Sequence, residues 1–249
     1  MRISLLILLL LSTLLLGSCT KQLHLVKSDP RYYRVDNEIQ QPASTSLDGL
    51  LEPYQQQYAK TMNDVIGKAA ITMTKDKPES TLGNWMCDVL LEKAQAVSGV
   101  ITDVAYQNYG GIRIPELAKG DISRGKIYEL MPFDNMLVIV EMPGEQMLTF
   151  INGIAESGGK PVSHTLRMQI VDGRAERVSI GGEPFDPSRT YHVAMPDYVA
   201  NGGDRSDYLV GLKRYDTGLF IRDLLLEGVE QSESPIQAKL DGRVAIKNN

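Results

Sequence analysis

An apolar run near the amino terminus restricts the architecture of this chain more than any other feature. Residues 3–16 are apolar at all but three positions, follow Arg2 and lead into Leu16-Gly17-Ser18-Cys19. A run of 14 residues is short for a membrane-spanning helix but typical of a signal-peptide core. Small residues directly before a cysteine resemble the lipobox of bacterial lipoproteins. The sequence therefore predicts a signal peptide over residues 1–18 and acylation of Cys19. The alternative is a plain secretory signal with an incidental Cys19.

This leader limits the length of chain that can fold. Removal of residues 1–18 leaves 231 residues, enough for one large domain or two small ones. Residues 19–46 are polar and aperiodic, which predicts a lipid-anchored tether and assigns residues 47–249 to the domain. No other stretch is long and apolar enough to span a membrane. We expect a domain at the bacterial cell envelope that faces the periplasm. Thr20-Lys21 after Cys19, in place of aspartate, favours the outer membrane over the inner one.

Composition and charge exclude several classes of function. The chain is 43% hydrophobic and 23% charged, which is typical of globular proteins. Its net charge of −5 and its lack of basic runs argue against nucleic-acid binding, which needs clustered Lys and Arg. Three histidines, at positions 24, 164 and 192, limit metal chemistry, and each is interpreted as an ordinary surface or core histidine. If Cys19 carries lipid, Cys87 has no disulfide partner, and its apolar neighbours predict a buried, unreactive thiol.

Hydrophobic periodicity predicts an α+β fold, because strands and helices are mixed without a regular βαβ alternation. Met136–Met142 is a nearly continuous apolar run and is predicted to be a buried strand. Helices are predicted at 50–62 (capped by Ser46 or Asp48), 81–96 (capped by Thr81), 123–130 (capped by Ser123), 144–155 and 217–229. Further strands are predicted at 71–73, 104–107, 166–171, 177–180, 191–195 and 242–246.

Four short segments combine glycines, aromatics and charged groups: Glu79–Asn84, Asn108–Arg113, Leu130–Asn135 and Tyr198–Asp204. In the second, a two-glycine turn allows close approach of the backbone to a ligand, and Arg113 offers a planar fork for phosphate or carboxylate. Each segment also has a simpler interpretation. The glycine pairs are common in tight turns, and a phenylalanine such as Phe133 usually lies in the core.

Taken together and in this order, the segments resemble the C-terminal domain of the 5′-nucleotidases and UDP-sugar hydrolases. The resemblance covers about Ile71 to Val244. The motifs that carry it are Leu82-Gly83-Asn84, Asp103-Val-Ala-Tyr-Gln-Asn108, Gly110-Gly-Ile-Arg113, Leu130-Met-Pro-Phe-x-Asn135, Asp186-Pro-Ser-Arg-Thr-Tyr-His-Val-Ala194, Asn201-Gly-Gly-Asp204 and Asp216-Thr-Gly218. It implies an α+β fold with a mixed sheet and packed helices, of the kind found in that domain.

The resemblance also implies a substrate-binding site. Phe133 and Tyr198 match the two aromatics that sandwich the base, Asn108 and Arg113 match residues that contact substrate, and Asp204 matches the acid that reaches the ribose hydroxyls. The complete implied set is Asn108, Gly110, Gly111, Arg113, Phe133, Tyr198, Asn201, Gly203 and Asp204, with no catalytic and no metal-binding residue. Two departures from the family pattern concern anion contacts and loop packing. Tyr109 replaces a small residue, and Lys77, Glu79 and Asn84 stand where the family carries arginines.

The family's other half is a metallophosphoesterase domain whose histidine motifs, Asp-x-His, Gly-Asn-His-Asp/Glu and Gly-His-x-His, do not occur in this sequence. The resemblance thus implies half an enzyme, inactive alone, that presents a nucleotide to a separately encoded metallophosphoesterase. Divalent metals are then expected only in that partner, and no cofactor is expected on this chain. One alternative is a nucleoside- or nucleotide-binding lipoprotein without a hydrolytic partner. Another is a scaffold that has lost ligand binding.

Overall fold

The computed structural model describes residues 45–247, and the leader, the tether, Cys19 and His24 lie outside them. Residues 50–249 form one compact unit. Residues 1–49 form another unit, in which only the start of one helix is described. Among the described helices, none has the length and apolarity needed to cross a bilayer. Everything below concerns the compact unit.

The described residues contain six α-helices, three short 3₁₀ helices and twelve strands. The helices are α1 Thr45–Met62, α2 Thr81–Ser98, α3 Arg124–Leu130, α4 Gly144–Glu156, α5 Asp197–Ala200 and α6 Ile221–Glu230. The strands are β1 Val65–Ala69, β2 Met73–Thr74, β3 Val104–Ala105, β4 Glu116–Leu117, β5 Gly120–Ser123, β6 Met136–Pro143, β7 Leu166–Val171, β8 Arg174–Ile180, β9 Glu183–Pro184, β10 Thr190–Pro196, β11 Arg214–Phe220 and β12 Val244–Ile246. The predicted α+β class is confirmed.

The central sheet has the strand order β11-β6-β10-β3 and is covered on both faces. Successive side chains of a strand point to opposite faces, and β6 shows the consequence. Leu137 and Ile139 join one buried cluster, with residues of α2 and α6, whereas Val138 and Val140 join a second, with residues of α4. Burial on both faces explains why β6 is a continuous apolar run rather than an alternating one.

Three smaller sheets surround this centre. One has the order β12-β7-β8-β9, and β1 pairs with β5 and β2 with β4 in two-stranded sheets. The turn between β7 and β8 is Asp172-Gly173, and both residues have positive φ, as a two-residue hairpin turn requires. Gly181-Gly182, between β8 and β9, has the same property. Both turns were expected from the sequence.

Several predicted boundaries were wrong. Helix α1 begins at Thr45, so Ser46 and Asp48 lie inside it and do not cap it. Helix α2 is capped by Ser80, whose Oγ accepts from the amide of Gly83 at 3.0 Å, and Thr81 is its first residue. Thr217-Gly218 lies within β11, at an irregularity in its pairing with β6, and α6 begins only at Ile221.

Other predictions on local structure are confirmed. Ser123 Oγ accepts from the amide of Lys126 at 3.3 Å and caps α3. Cys87 is fully buried, and burial raises the pKa of its thiol well above the ordinary value. A thiol in that state has little nucleophilic thiolate, in agreement with the expected structural role.

Candidate ligand-binding site

Strand order brings three distant segments of the chain together at one edge of the central sheet. Strand β3 runs parallel to β10, so the carboxyl ends of both strands lie at the same edge. Strand β6 is antiparallel to β10, with Leu137 opposite Pro196, so its amino end lies there too. Residues 106–113 after β3, 131–135 before β6 and 197–204 after β10 therefore converge.

A cavity of about 410 Å³ opens between these segments. Its lining residues are Asn108, Gly110, Gly111, Arg113, Phe133, Asn135, Tyr198 and Asp204. Seven of the nine residues predicted to bind substrate are thus brought together around one space, although their contact with a ligand stays a prediction. Asn135 was not among the predicted site residues. Its place two residues after Phe133, in the same motif, is the signal that could have identified it.

Two half-exposed aromatic rings form the walls of this cavity. Phe133 keeps 39% and Tyr198 45% of its surface accessible, whereas Phe150 in the core keeps only 3%. Within the described chain no ring contact joins Phe133 to Tyr198, and part of each ring stays exposed toward the cavity. The guanidinium of Arg113 lies 5.5 Å from the centre of the Phe133 ring. Exposed aromatic surface lining a concave site is typical of ligand recognition.

The loop that carries Phe133 is fixed from behind by Arg222 of α6. Arg222 donates to Asp134 Oδ1 at 2.8 Å and to the carbonyl oxygen of Phe133 at 3.4 Å, and it lies over the ring of Tyr128. Burial lowers the pKa of Arg222, but the bond to Asp134 and the nearby charges of Asp134 and Asp223 together outweigh burial, and the pKa is raised overall. The ion pair therefore holds this loop in place.

The other aromatic wall is fixed by Asp197, the first residue of α5. Asp197 Oδ1 accepts from the amide of Tyr198 at 2.8 Å and from the amide of Met136 at 3.1 Å. One carboxylate thus ties the start of α5 to the start of β6. Because Phe133 lies just before β6, this contact sets the spacing between the two walls.

Asp204 closes one end of the cavity and is held by two donors. Asn108 Nδ2 donates to its Oδ2 at 3.0 Å, and the hydroxyl of Tyr198 donates to its Oδ1 at 3.3 Å. Asp204 has a φ of 54°, a left-handed conformation that is uncommon outside glycine. Gly203 before it allows Tyr198 to pack closely, because a Cβ there would lie 2.5 Å from the ring. An ionised carboxylate with free lone pairs can accept hydrogen bonds from a diol.

Two of the predicted residues do not line the cavity. Asn201 ends α5, and its Oδ1 accepts from Arg214 of β11 at 2.6 Å. Gly203 acts on the site only by accommodating the Tyr198 ring. The structure places both residues where they support the loop, and it gives neither a direct route to a ligand.

Lysines and Arg113 create a cationic region beside the two-glycine turn. Lys75 Nζ lies 4.1 Å and Lys77 Nζ 5.2 Å from the centre of the Tyr109 ring, and Lys75 also donates to the carbonyl oxygen of Ile112 at 2.8 Å. Burial lowers the pKa of Lys75, and the charge of Arg113 lowers it further. Like charges held this close are stabilised by a bound anion. Lys75 was not predicted as a site residue, because its neighbours in the sequence do not distinguish it from an ordinary surface lysine.

Glu79 and Asn84, at positions where related proteins were expected to have arginines, serve the fold. Glu79 Oε1 accepts from Asn84 Nδ2 at 2.7 Å and from the amide of Asp241 at 2.8 Å. Neither residue lines the cavity.

Metal-ligating residues are not clustered in the part of the chain that the structure describes, residues 45–247. His164 contacts Asp88 at 3.1 Å, and His192 lies 3.9 Å from Asp103. Each is a single histidine–carboxylate pair, which is too few ligands for a structural or catalytic metal ion.

Comparison with known proteins gives one consistent result. The family model for the 5′-nucleotidase C-terminal domain matches residues 58–211. Among curated relatives, a 5′-nucleotidase of Vibrio vulnificus is 28% identical over 85% of this chain, and protein UshA of Escherichia coli is 26% identical over 77%. Among solved structures, a 5′-nucleotidase precursor from Thermus thermophilus superposes with a TM-score of 0.68 at 30% identity over 84% of this chain.

These similarities cover only part of each relative. The matched region is 38% of the Vibrio protein, 35% of UshA and 44% of the Thermus chain.

Proposed function

The chain belongs to the 5′-nucleotidase C-terminal domain family, and from that premise we propose that it binds the nucleotide in a split 5′-nucleotidase-type phosphohydrolase. In this proposal it presents the nucleotide to a separately encoded metallophosphoesterase, and alone it is inactive. The observation that carries the proposal is the cavity between Phe133 and Tyr198, with a carboxylate at one end and cations beside it. The metal-binding histidine motifs, which this proposal assigns to the partner, do not occur among the 249 residues.

The base would lie between Phe133 and Tyr198. Both rings are half exposed and held by backbone-anchored loops, so little ordering is needed on binding. Stacking on an aromatic side chain contributes about 1–3 kcal/mol per base and depends little on which base is present. The proposed site is therefore selective for nucleosides as a class and tolerant of the base.

The ribose would lie against Asp204. Its carboxylate has one oxygen engaged by Asn108 and the other, at a longer distance, by Tyr198. Carboxylate oxygens each accept more than one hydrogen bond, so the two sugar hydroxyls can add to these donors. Asn108 and Tyr198 would hold the carboxylate in the orientation that the diol requires.

The phosphate would extend toward the cationic region. Arg113 is exposed, and one of its terminal nitrogens donates to the carbonyl oxygen of Gly110 at 3.2 Å. The remaining donors of its guanidinium can bind phosphate oxygens in a forked arrangement. Lys75 adds a second positive charge behind the Tyr109 ring. In the complete enzyme, divalent metals of the partner would supply the activated water and stabilise charge on the phosphate. This chain would fix the base, the sugar and the direction of the phosphate.

The proposed location follows from the predicted leader. We propose that Cys19 is acylated and that the domain faces the periplasm, with the outer membrane favoured over the inner one. An anchored binding domain would keep nucleotides and the partner at one surface. Metabolic labelling with a fatty-acid analogue tests this, and Cys19→Ser should abolish the label and release the protein from the membrane fraction.

The experiment that tests the split enzyme is co-expression of the full chain with a metallophosphoesterase that carries the missing histidine motifs. AMP hydrolysis should require both chains and added Mn²⁺, and it should be lost in Phe133→Ala and in Asp204→Ala. Glu176→Ala, which removes an exposed carboxylate from β8, is the matched control and should retain activity. If the two chains neither associate nor gain activity, the split-enzyme proposal is wrong.

The second candidate is a nucleoside- or nucleotide-binding lipoprotein without a hydrolytic partner. The same cavity favours it, because the groups proposed to bind the base and the sugar all line it. It predicts nucleotide binding by the isolated chain together with no partner and no activity. Absence of binding for every nucleoside and nucleotide would instead indicate a scaffold.

A further inference from the structure

We propose that Gln107 is a positioning residue that sets the orientation of the Asn108 side chain and thereby of Asp204. This inference deepens the proposed function, since it concerns the group that would bind the ribose diol. Gln107 does not line the cavity and is fully buried. Its proposed effect on a ligand is therefore exerted entirely through Asn108.

A chain of side-chain hydrogen bonds connects these residues. Gln107 Nε2 donates to Asn108 Oδ1 at 2.9 Å, and Asn108 Nδ2 donates to Asp204 Oδ2 at 3.0 Å. Asn108 itself is only 4% exposed, so water has little access to its amide. Each end of the Asn108 amide is thus committed to one neighbour.

The chemistry of the groups fixes the direction of this chain. An ionised carboxylate only accepts hydrogen bonds, so the end of Asn108 that faces Asp204 must be its NH₂ group. The opposite end is then a carbonyl oxygen, which needs a donor. Gln107 supplies that donor with its own NH₂ group. A residue without a donor at this place would leave the buried oxygen of Asn108 unpaired and would favour rotation of its amide away from Asp204.

Two further observations show that the arrangement is specific. Gln107 Oε1 is buried and has no hydrogen-bond partner among the described residues. The side-chain amide is therefore oriented so that its NH₂ group bonds to Asn108, although this leaves its oxygen unpaired. Gly111, the second glycine of the turn, provides the space. A Cβ there would lie 2.6 Å from Asn108 Oδ1 and would collide with Gln107 Nε2. One glycine of the family motif is therefore explained by the packing of this amide pair.

Gln107→Met tests the loss of the donor, because methionine is unbranched, apolar and of similar length. We expect the affinity of the full chain for uridine, measured by calorimetry well below the unfolding temperature of the variant, to fall about tenfold. The matched control is Gln169→Met in β7. Gln169 also has an unpartnered Oε1 but lies in a different sheet, and its replacement should leave uridine affinity unchanged.

Gln107→Glu adds a readout that a purely structural role would not produce. Burial raises the pKa of an introduced carboxyl, which in its protonated form donates a hydrogen bond and in its ionised form does not. Uridine affinity of this variant should therefore be near that of wild type at about pH 5.5 and fall as the pH rises to about 8. The wild-type protein should show no such dependence, because its amide does not titrate.

The outcomes separate this inference from the proposed function. If wild type binds uridine and both variants bind equally well at every pH, Gln107 has no positioning role. If wild type does not bind any nucleoside, the proposed function fails, and the inference is then decided by NMR on the free protein. The side-chain amide protons of Asn108 should be protected from hydrogen exchange in wild type and lose that protection in Gln107→Met. Equal protection in the two proteins would contradict the inference.

Discussion

Two charged clusters of this molecule are built in opposite ways. At Arg243, 3% of the side chain is exposed, and the guanidinium donates to Asp88 at 2.9 Å and to Asp241 at 2.8 Å, with Glu79 at 3.9 Å. At Arg113 the side chain is exposed, and within the described residues no carboxylate lies within ion-pair distance of it or of Lys75. In the first cluster, the charge of the guanidinium is neutralised by ion pairs within the chain. The second brings cations together without a carboxylate partner among the described residues, and we propose that an external anion binds there.

The difference separates residues that stabilise the fold from residues available for binding. The Arg243 cluster joins α2 to the segment before β12. Removal of one member of this cluster should therefore lower the stability of the fold more than removal of a member of the Arg113 cluster. Loss of a cation from the Arg113 cluster should lower stability little, because among the described residues its hydrogen bonds go to backbone carbonyl oxygens and not to carboxylates. Four predictions follow this division, from the largest expected effect to the smallest.

Arg243→Met should have the largest effect, on stability alone. It leaves the carboxylates of Asp88 and Asp241 partly buried without their cation, and breaking such a pair costs about 3–5 kcal/mol. The free energy of unfolding, measured with urea, should fall by that amount. Nucleotide affinity, measured below the unfolding transition, should be unchanged. A variant that stays equally stable would show that this buried cluster does not hold the fold together.

Phe133→Ala should affect binding and spare the fold. Phe133 is 39% exposed, so its removal should change stability little, whereas loss of one stacking face should weaken AMP binding by about 1–3 kcal/mol. Tyr54→Ala, which removes an aromatic ring that is 70% exposed on α1, is the control and should alter neither quantity. A large loss of stability in Phe133→Ala would remove the distinction between the two kinds of region.

Arg113→Met should discriminate between ligands. Loss of the guanidinium should weaken AMP binding about tenfold, or ~1.4 kcal/mol, and leave adenosine binding nearly unchanged, because only AMP carries the phosphate. Calorimetry with both ligands checks this. Equal losses for AMP and adenosine would mean that Arg113 supports the cavity wall near Phe133 and does not bind the phosphate.

The smallest effect concerns acid stability at the Arg243 cluster. Burial raises the pKa of Asp241, but its hydrogen bonds to Arg243 and the positive charges of Arg243 and Arg167 together outweigh burial and leave the pKa below its usual value. A carboxyl with a lowered folded pKa stabilises the protein above its unfolded value, near 3.9, and that stability is lost as the pH falls through the folded value. Unfolding measured from about pH 6 to 3 should show a smaller loss in Asp241→Asn than in wild type. Identical pH profiles would contradict this assignment.

Local signals were sufficient for much of the fold. The apolar run at Met136–Met142 identified the central strand, and Ser123 identified the start of α3, because burial on two faces and helix capping are both properties of nearby residues. Strand β1 was missed, since its Gly67 and Lys68 break the pattern and its pairing with β5 joins residues far apart in the sequence. Thr217-Gly218 was misread as a helix start because a glycine at a strand irregularity gives the same local signal.

In the binding site, too, local motifs identified some residues, whereas others depend on long-range contacts. Phe133, Tyr198 and Asp204 were identified from motifs, and the structure places them around one cavity. Asn135 was overlooked although it belongs to the same motif as Phe133. Gln107 and Lys75 were not identified, because their importance depends on the neighbours that the tertiary fold provides. Gln107 is distinguished by its amide contact with Asn108, and Lys75 by its proximity to Arg113.

Calorimetric titration of the full chain with AMP tests the central claim most directly. We predict saturable binding at one site, weakened by more than tenfold when Phe133 and Tyr198 are both replaced by alanine. The unfolding temperature of the double variant should stay near that of wild type. Absence of binding by the wild-type chain, or equal binding by the double variant, would contradict the assignment of this cavity to a nucleotide.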